Sequence, residues 1–405
     1  MRKRLFLIVI IMLIFCPIIF TGCSSGKVSI YIKTKPTKIA YEINEPFSKD
    51  GLKVESLNTD GTTTKVKIKD EDIVGADTSS GGEKTVTCKS GNNSTVFNIY
   101  VADVVVNSGD NVRQKILDAK SGDVVYFKNG TYDNSEGQIT DIVIDKSLFI
   151  VGESKDKTIF KGNFIVGVTK SQQGYEKIEN FKDVKIVNMG FKQDIDVKNG
   201  EITYKNGIKV DNYGAICGFD TENLYVTGCS FENYSYGVLM NNAINLSVTR
   251  NTFKNLLISG VKVKNHSERV SIFKNAFMDI GTNVLFNENE SQSYLSCINL
   301  SFSKKGNAGI IISQNSFNRV ALKTDGWIYF DENSKDIEGN DNLTKLSYVN
   351  NSAIVVLKSS SENNLQVSGI VLTANNYGGT LQNIKLGTTD TDKINQSGMI
   401  INETF

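Results

Sequence analysis

Only three prolines, one histidine and one tryptophan occur in 405 residues. A single imidazole, that of His266, excludes zinc and other centres built on several histidines. Six cysteines are present, and Cys88, Cys217, Cys229 and Cys297 are too sparse along the chain for a disulfide scaffold. Charge of one sign is also missing. Removing the three cations of the first 22 residues from 45 basic side chains leaves 42 against 44 acidic ones, a net of −2. Without a basic excess to neutralise phosphates, nucleic acid is excluded as the natural partner. No zinc-spaced cysteine pair, glycine-rich phosphate loop or Ser/His/Asp pattern around His266 occurs. Beyond the first 22 residues no long apolar run is present, so the rest of the chain is expected to lie outside the bilayer.

What is present begins with an export signal. Arg2, Lys3 and Arg4 precede the apolar run Leu5 to Phe20, which is short for a membrane span. The run ends in Phe20-Thr21-Gly22-Cys23 and is followed by Ser24-Ser25-Gly26. This resembles the bacterial lipobox, with Phe20 in place of the usual leucine. The resemblance implies a signal peptide over 1–22, lipid on Cys23 and a short linker over 23–27. Each buried methylene contributes about 0.8 kcal/mol, so two or three acyl chains anchor a protein without a membrane helix. The expected location is the outer face of a bacterial cell membrane.

From 28 to 103 the chain reads as short alternating strands. Val54-Glu55-Ser56-Leu57, Thr64 to Ile68, Lys84 to Cys88 and Val96 to Val101 each place apolar residues on one face. Asp60-Gly61 and Ser90-Gly91-Asn92-Asn93 mark turns. About seven short strands in this length predict a β-sandwich. The order Pro36-Thr37-Lys38, Glu45-Pro46-Phe47, Gly51 to Val54, Asp60-Gly61-Thr62 and Gly82 to Thr87 resembles the bacterial Ig-like domains of surface proteins. That resemblance implies a spacer or an adhesion module.

From 104 to 405 the texture changes. An amphipathic helix is predicted over about 111–120, with Val112, Ile116, Leu117 and Ala119 at helical spacing. Strand-like segments at Val124 to Phe127, Ile142 to Gly152 and Thr158 to Gly162 follow it. This order resembles the capped beginning of pectate-lyase-like right-handed parallel β-helices, in which a helix covers the open first coil. The repeats carry the same reading. Aromatic residues at 191, 231, 253, 277, 317 and 377 end similar segments, with steps of 40, 22, 24, 40 and 60. With a period of roughly 20 to 24 residues, the longer steps read as two or three coils, and the whole as a solenoid of about ten coils. Residues 192–213 fit the repeat poorly and read as an insertion.

A second strand recurs at 23-residue spacing in Gly237 to Asn241, Gly260 to Lys264 and Asn283 to Asn287. Alternation turns Val238, Val261 and Val284 inward, with Met240, Val263 and Phe286, while residues 239, 262, 285 and 241, 264, 287 face outward. Phe231, Phe253 and Phe277 are expected to stack. Asn251 and Asn275 are expected to occupy left-handed bends and to bond to their equivalents one coil away. Cys229 shares their slot, and Cys217 reads as inward-facing core. Arg250 and Lys274 form a further outward column.

The resemblance to pectate-lyase-like proteins implies carbohydrate as ligand. Polygalacturonase-type hydrolases use paired aspartates, Gly-His-Gly and Arg-x-Lys. Here only Thr324-Asp325-Gly326 echoes that set and His266 sits in Lys264-Asn265-His266-Ser267, so this class is disfavoured. Calcium-dependent lyases need an acidic cluster. Asp194, Asp196, Asp211, Asp220 and Asp331-Glu332 keep an oxygen-ligand calcium site open, although no cofactor is required. Elimination without such a cluster needs a base and a cation. Lys262 and Lys264 project from one coil, His266 and Arg269 lie just beyond, and Asn241 and Asn287 flank Lys264, making these the candidate catalytic and substrate-binding residues. Burial would let a lysine act as the base. Trp327, near Tyr329 and Asp331, could stack on a sugar ring. Two readings follow: a membrane-anchored monomer that binds and cleaves an acidic polysaccharide, or a non-catalytic adhesin or envelope structural protein on the same scaffold. Alternating lysines would equally keep an exposed strand soluble.

Overall fold

A computed structural model describes residues 29–133, 141–171, 174–178, 182–198, 201–204, 214–280, 296–302, 308–320, 328–329, 356–358, 368–373 and 400–402. It is an all-β protein in which an Ig-like segment precedes a parallel β-helix. The chain divides into two compact units. One holds the chain up to Thr37 with Lys49–Gly75 and Thr85–Phe97, and the other holds Lys38–Ser48, Ala76–Lys84 and everything from Asn98.

In the Ig-like segment, Ser29–Thr34, Lys53–Leu57 and Thr63–Val66 form an antiparallel sheet in that order. The hairpin joining the last two turns at the predicted Asp60-Gly61. Gly61 takes φ 81° there, and the Thr62 amide donates to Asp60 Oδ1 at 2.9 Å. A four-stranded sheet contains Gly82–Ser90 and Asn93–Val101, joined through Gly91 at φ 57°. Alternation in these strands buries Val86, Cys88, Phe97 and Ile99, the apolar half of each pattern.

The predicted capping helix spans Val112–Asp118. Asn111 caps it by accepting from the Gln114 amide at 3.0 Å. Val112 and Ile116 are buried in the solenoid core and Ala119 closes the end, whereas Leu117 lies on the solvent side, contrary to the expected stripe. A seven-residue helix presents only one narrow face, and positions 112, 116 and 119 fill it.

Beyond the helix, seven strands stack in parallel in one sheet, from Gly130–Tyr132 to Ser316–Val320. The register corrects the coil count. Phe191 pairs directly with Phe231 and Phe277 with Phe317, so each 40-residue step is a single coil enlarged by an insertion, not two coils. Ile312 likewise pairs with Leu372 across 60 residues. The first of these insertions contains its own antiparallel hairpin, Ile195–Lys198 with Glu201–Tyr204. A solenoid tolerates such loops because only the stacked strands must repeat.

Two ladders run through the coils. Phe191, Phe231, Phe253 and Phe277 stack with centroids 5.1, 4.8 and 4.8 Å apart and planes within 8° of parallel. Gly237 and Gly260 make room for them. A Cβ on Gly237 would lie 2.6 Å from the Phe253 ring, and one on Gly260 2.5 Å from Phe277. The second ladder is polar: the Cys229 amide donates to Asn251 Oδ1, the Asn251 amide to Asn275 Oδ1 and the Asn275 amide to Asn315 Oδ1, each at 2.9 Å. The left-handed backbone lies one residue earlier than expected. Asn188, Gly228, Arg250, Lys274 and Gln314 have φ between 55° and 67°, while the ladder asparagines do not have positive φ. The preceding residue makes the turn, and this frees each asparagine side chain to point inward along the stack.

Candidate functional site

Four successive coils build one outer surface. Ile216, Val238, Val261 and Ile298 form one inward row, and Gly218, Met240, Val263 and Leu300 the next. Residues between them face outward. Cys217, Leu239, Lys262 and Asn299 share one row, while Phe219, Asn241, Lys264 and Ser301 share another. Neighbouring strands lie about 4.8 Å apart, so each row is a ladder of closely spaced side chains.

The predicted inward and outward positions hold for residues 238 to 241 and 261 to 264. Cys217 does not follow its expected direction. It lies in the outward row, in a small apolar cluster with Ile165 and Val168 that Val143, Phe219 and Leu239 complete. It is still only 8% exposed, and burial pushes its thiol up to about 11. A covered outer row is as apolar as a core row, so hydropathy could not separate the two. Cys229, Cys88 and Cys297 are also buried free thiols, with Cys229 raised to about 12 by burial.

Along the outward row the chemistry changes from apolar to basic. Lys262 is 8% exposed, its ammonium 3.5 Å from the Tyr236 hydroxyl and 5.2 Å from the centre of that ring. Lys264 is half-buried, and desolvation holds its amine below the ordinary lysine range, partly offset by the nearby Cys217 thiol. Asn241 pairs with Lys264 in register and accepts from the Asn265 amide side chain.

His266 and Arg269 do not join the lysines. At Asn265 the backbone turns through φ 67°, and the register with the preceding coil shifts there. Beyond that corner the His266 ring nitrogen lies 3.1 Å from Glu268, and the Arg269 guanidinium 3.3 Å from the same carboxylate. Arg269 Nε also donates to Asn245. What the sequence presents as one basic centre is thus two: a lysine pair on the sheet face and a neutralised His–Glu–Arg group past the bend. Five residues of spacing cannot reveal a left-handed corner within them.

Asn287 and Trp327 lie outside the described residues. The strand that continues this sheet is Ser296–Phe302, so Ser301 occupies the place beside Lys264 that was expected of Asn287. The spacing of 23 fails at this coil because an insertion separates the two strands. Among the acidic candidates, Asp194 pairs with Lys161 at 3.0 Å and Asp220 accepts from Asn242 at 2.7 Å. Asp211, Asp331 and Glu332 lie outside the described residues, and only the backbone of Asp196 is described. Among the described residues no three His, Cys, Asp or Glu side chains come together as a cation would require. Tyr236 was not singled out from the sequence, though Tyr236-Gly237-Val238 aligns with Ser259-Gly260-Val261 and places a tyrosine one coil before the lysines.

A family model described as "Protein of unknown function (DUF1565)" matches residues 110–395, and one described as "Bacterial Ig-like domain (group 3)" matches residues 34–101. No curated protein matches the chain. Among solved structures, a pectin methylesterase mutant in complex with a hexasaccharide aligns at 12% identity over 72% of this chain and 94% of that one, with a TM-score of 0.32.

Proposed function

Given that the chain belongs to the family described as "Protein of unknown function (DUF1565)", we propose that it binds an acidic polysaccharide on the outer face carrying Lys262 and Lys264 and cleaves it by β-elimination. One observation carries this reading: adjacent outward positions of one strand hold two lysines, one of them desolvated toward its neutral form. The neutral Lys264 amine would take the proton alpha to a uronate carboxylate. The Lys262 ammonium would stabilise the charge that then builds on the carboxylate. Electrons of the broken C–H bond form the new double bond and expel the glycosidic oxygen at the β-carbon, and that oxygen takes a proton from solvent water.

Incubation with a panel of polyuronates, with and without calcium, tests the proposal through the ultraviolet absorbance of unsaturated ends. Lys264→Ala is expected to lower the rate by about 10²- to 10⁴-fold. The rate is expected to rise with pH as Lys264 loses its proton, with a midpoint below the ordinary value of about 10.4. Stability carries the same sign. Between the lowered folded pKa and the higher unfolded one the unfolded chain binds more protons, so stability rises with pH there. Lys264→Met removes that slope in urea denaturation. A flat absorbance trace across the whole panel sinks the elimination.

A second reading, a non-catalytic adhesin or envelope structural protein, is favoured by the near-complete burial of Lys262 and by the pairing of Glu268 with both His266 and Arg269. Glycan binding without cleavage would select it. In both readings the lipid sits on Cys23 and holds the chain outside the cell membrane. Metabolic incorporation of a labelled fatty acid is then expected, and Cys23→Ser is expected to abolish it. Labelling that survives this substitution refutes the anchor.

A further inference from the structure

We propose that Arg250 and Lys274, stacked on successive coils at one corner of the solenoid, form a binding site for the oxyanion groups of an extended polyanion. This corner lies between the short strands Ser247–Thr249 and Thr252–Lys254 in one coil, and Ser271–Phe273 and Ala276–Ile280 in the next. It is a different part of the coil from the strand that holds Lys262 and Lys264.

The two cations occupy the same left-handed position, both at φ 56°. In other coils that position is filled by Asn188, Gly228 and Gln314. Left-handed backbone is uncommon for residues other than glycine, asparagine and aspartate. Arginine and lysine here therefore run against local preference in two successive coils. Their amides are tied into the ladder, Arg250 donating to the Phe273 carbonyl and Lys274 to that of Ser313, each at 3.0 Å. Both side chains are exposed. Among the described residues neither meets a carboxylate, and the Lys274 ammonium lies 5.0 Å from the Phe273 ring centre. Partial desolvation at the base of the side chain and then the charge of Arg250 lower the pKa of Lys274, so the two feel each other. Like charges one coil apart, about 4.8 Å in strand spacing, are destabilising unless an anion lies between them. A carboxylate or a sulfate ester has the two acceptor oxygens needed to bridge a guanidinium and an ammonium.

Fluorescence anisotropy with labelled dextran sulfate and polygalacturonate oligosaccharides, at low and high salt, tests this on the full chain. Arg250→Gly/Lys274→Gly is expected to weaken binding of at least one probe by about tenfold or more and to flatten the salt dependence. The melting temperature is expected not to fall, because glycine accepts this backbone. Arg250→Asn/Lys274→Asn, which copies Asn188, is expected to lose binding equally. Lys254→Gln, an exposed cation on the neighbouring strand, is expected to leave binding unchanged. Which probe is lost tells sulfate from carboxylate recognition. Binding retained in either double variant, loss of equal size in Lys254→Gln, or no binding of either probe by the unsubstituted chain overturns the proposal.

Discussion

Asn275→Ala is expected to destabilise the solenoid by about 1–3 kcal/mol, the cost of one buried group left without a partner. Asn275 is 2% exposed and sits in the middle of the ladder. Its Oδ1 accepts from the Asn251 amide at 2.9 Å, and its Nδ2 donates to the Val248 carbonyl at 2.8 Å. Alanine removes both, leaving the Asn251 amide without an acceptor, while the Val248 carbonyl stays in the parallel ladder with the next coil. The Asn251 side chain keeps its bond to the Val226 carbonyl at 3.0 Å, and Asn315 Oδ1 keeps the Asn275 amide, so the loss falls on the Asn251 amide. Asn275→Asp separates donor from acceptor. The carboxylate still accepts from Asn251 but faces the Val248 carbonyl as an unpaired buried charge. Its folded pKa is then raised above the unfolded value, so this variant is expected to gain stability as pH falls, when the protonated acid can donate. Urea denaturation across pH reads both effects. A cost below about 1 kcal/mol for the alanine variant would show that the ladder repeats without holding the coils together.

Phe253→Ala is expected to cost about 3–5 kcal/mol. The ring is fully buried and stacked on both sides, against Phe231 and Phe277, so neither neighbour can close the space without leaving its own stack. Phe253→Leu keeps most of the volume and is expected to cost less than half as much. The glycine beside the ring supplies an internal check. Gly237→Ala alone drives a methyl into the Phe253 ring at 2.6 Å, yet in the Phe253→Ala background that methyl enters space the ring has left. The two substitutions are therefore expected to be less than additive. Strict additivity in thermal or denaturant unfolding would mean that the glycine is required by the Gly260 carbonyl, 2.8 Å from the same Cβ, rather than by the aromatic stack.

Much of this architecture is legible in the chain because a solenoid repeats its physics. An aromatic recurring after each short segment had to stack, since each coil buries its ring only against the next. An asparagine at each bend had to find a partner one coil away, since its amide is buried there. The candidate site was legible only in part. Alternation shows that Lys262 and Lys264 share a face, because the side-chain period of a strand is two. It cannot show that Asn265 turns the chain and hands His266 and Arg269 to Glu268, nor that Tyr236 sits against Lys262.

By itself, the sequence determined the all-β class, the order of an Ig-like segment before a parallel β-helix, the capping helix and the two ladders. Each is a local pattern that only one period can satisfy. Tertiary structure alone decided which strands are neighbours. It made Phe191 adjacent to Phe231 and put Ser296–Phe302 beside the two lysines. Insertions cost a solenoid little and leave no periodic trace, so counting residues along the chain overstates the number of coils. Tertiary structure also decided that an outward row could be buried, covering Cys217 and desolvating the Lys264 amine. Burial depends on what covers a surface from elsewhere in the chain, and no spacing within a strand encodes that.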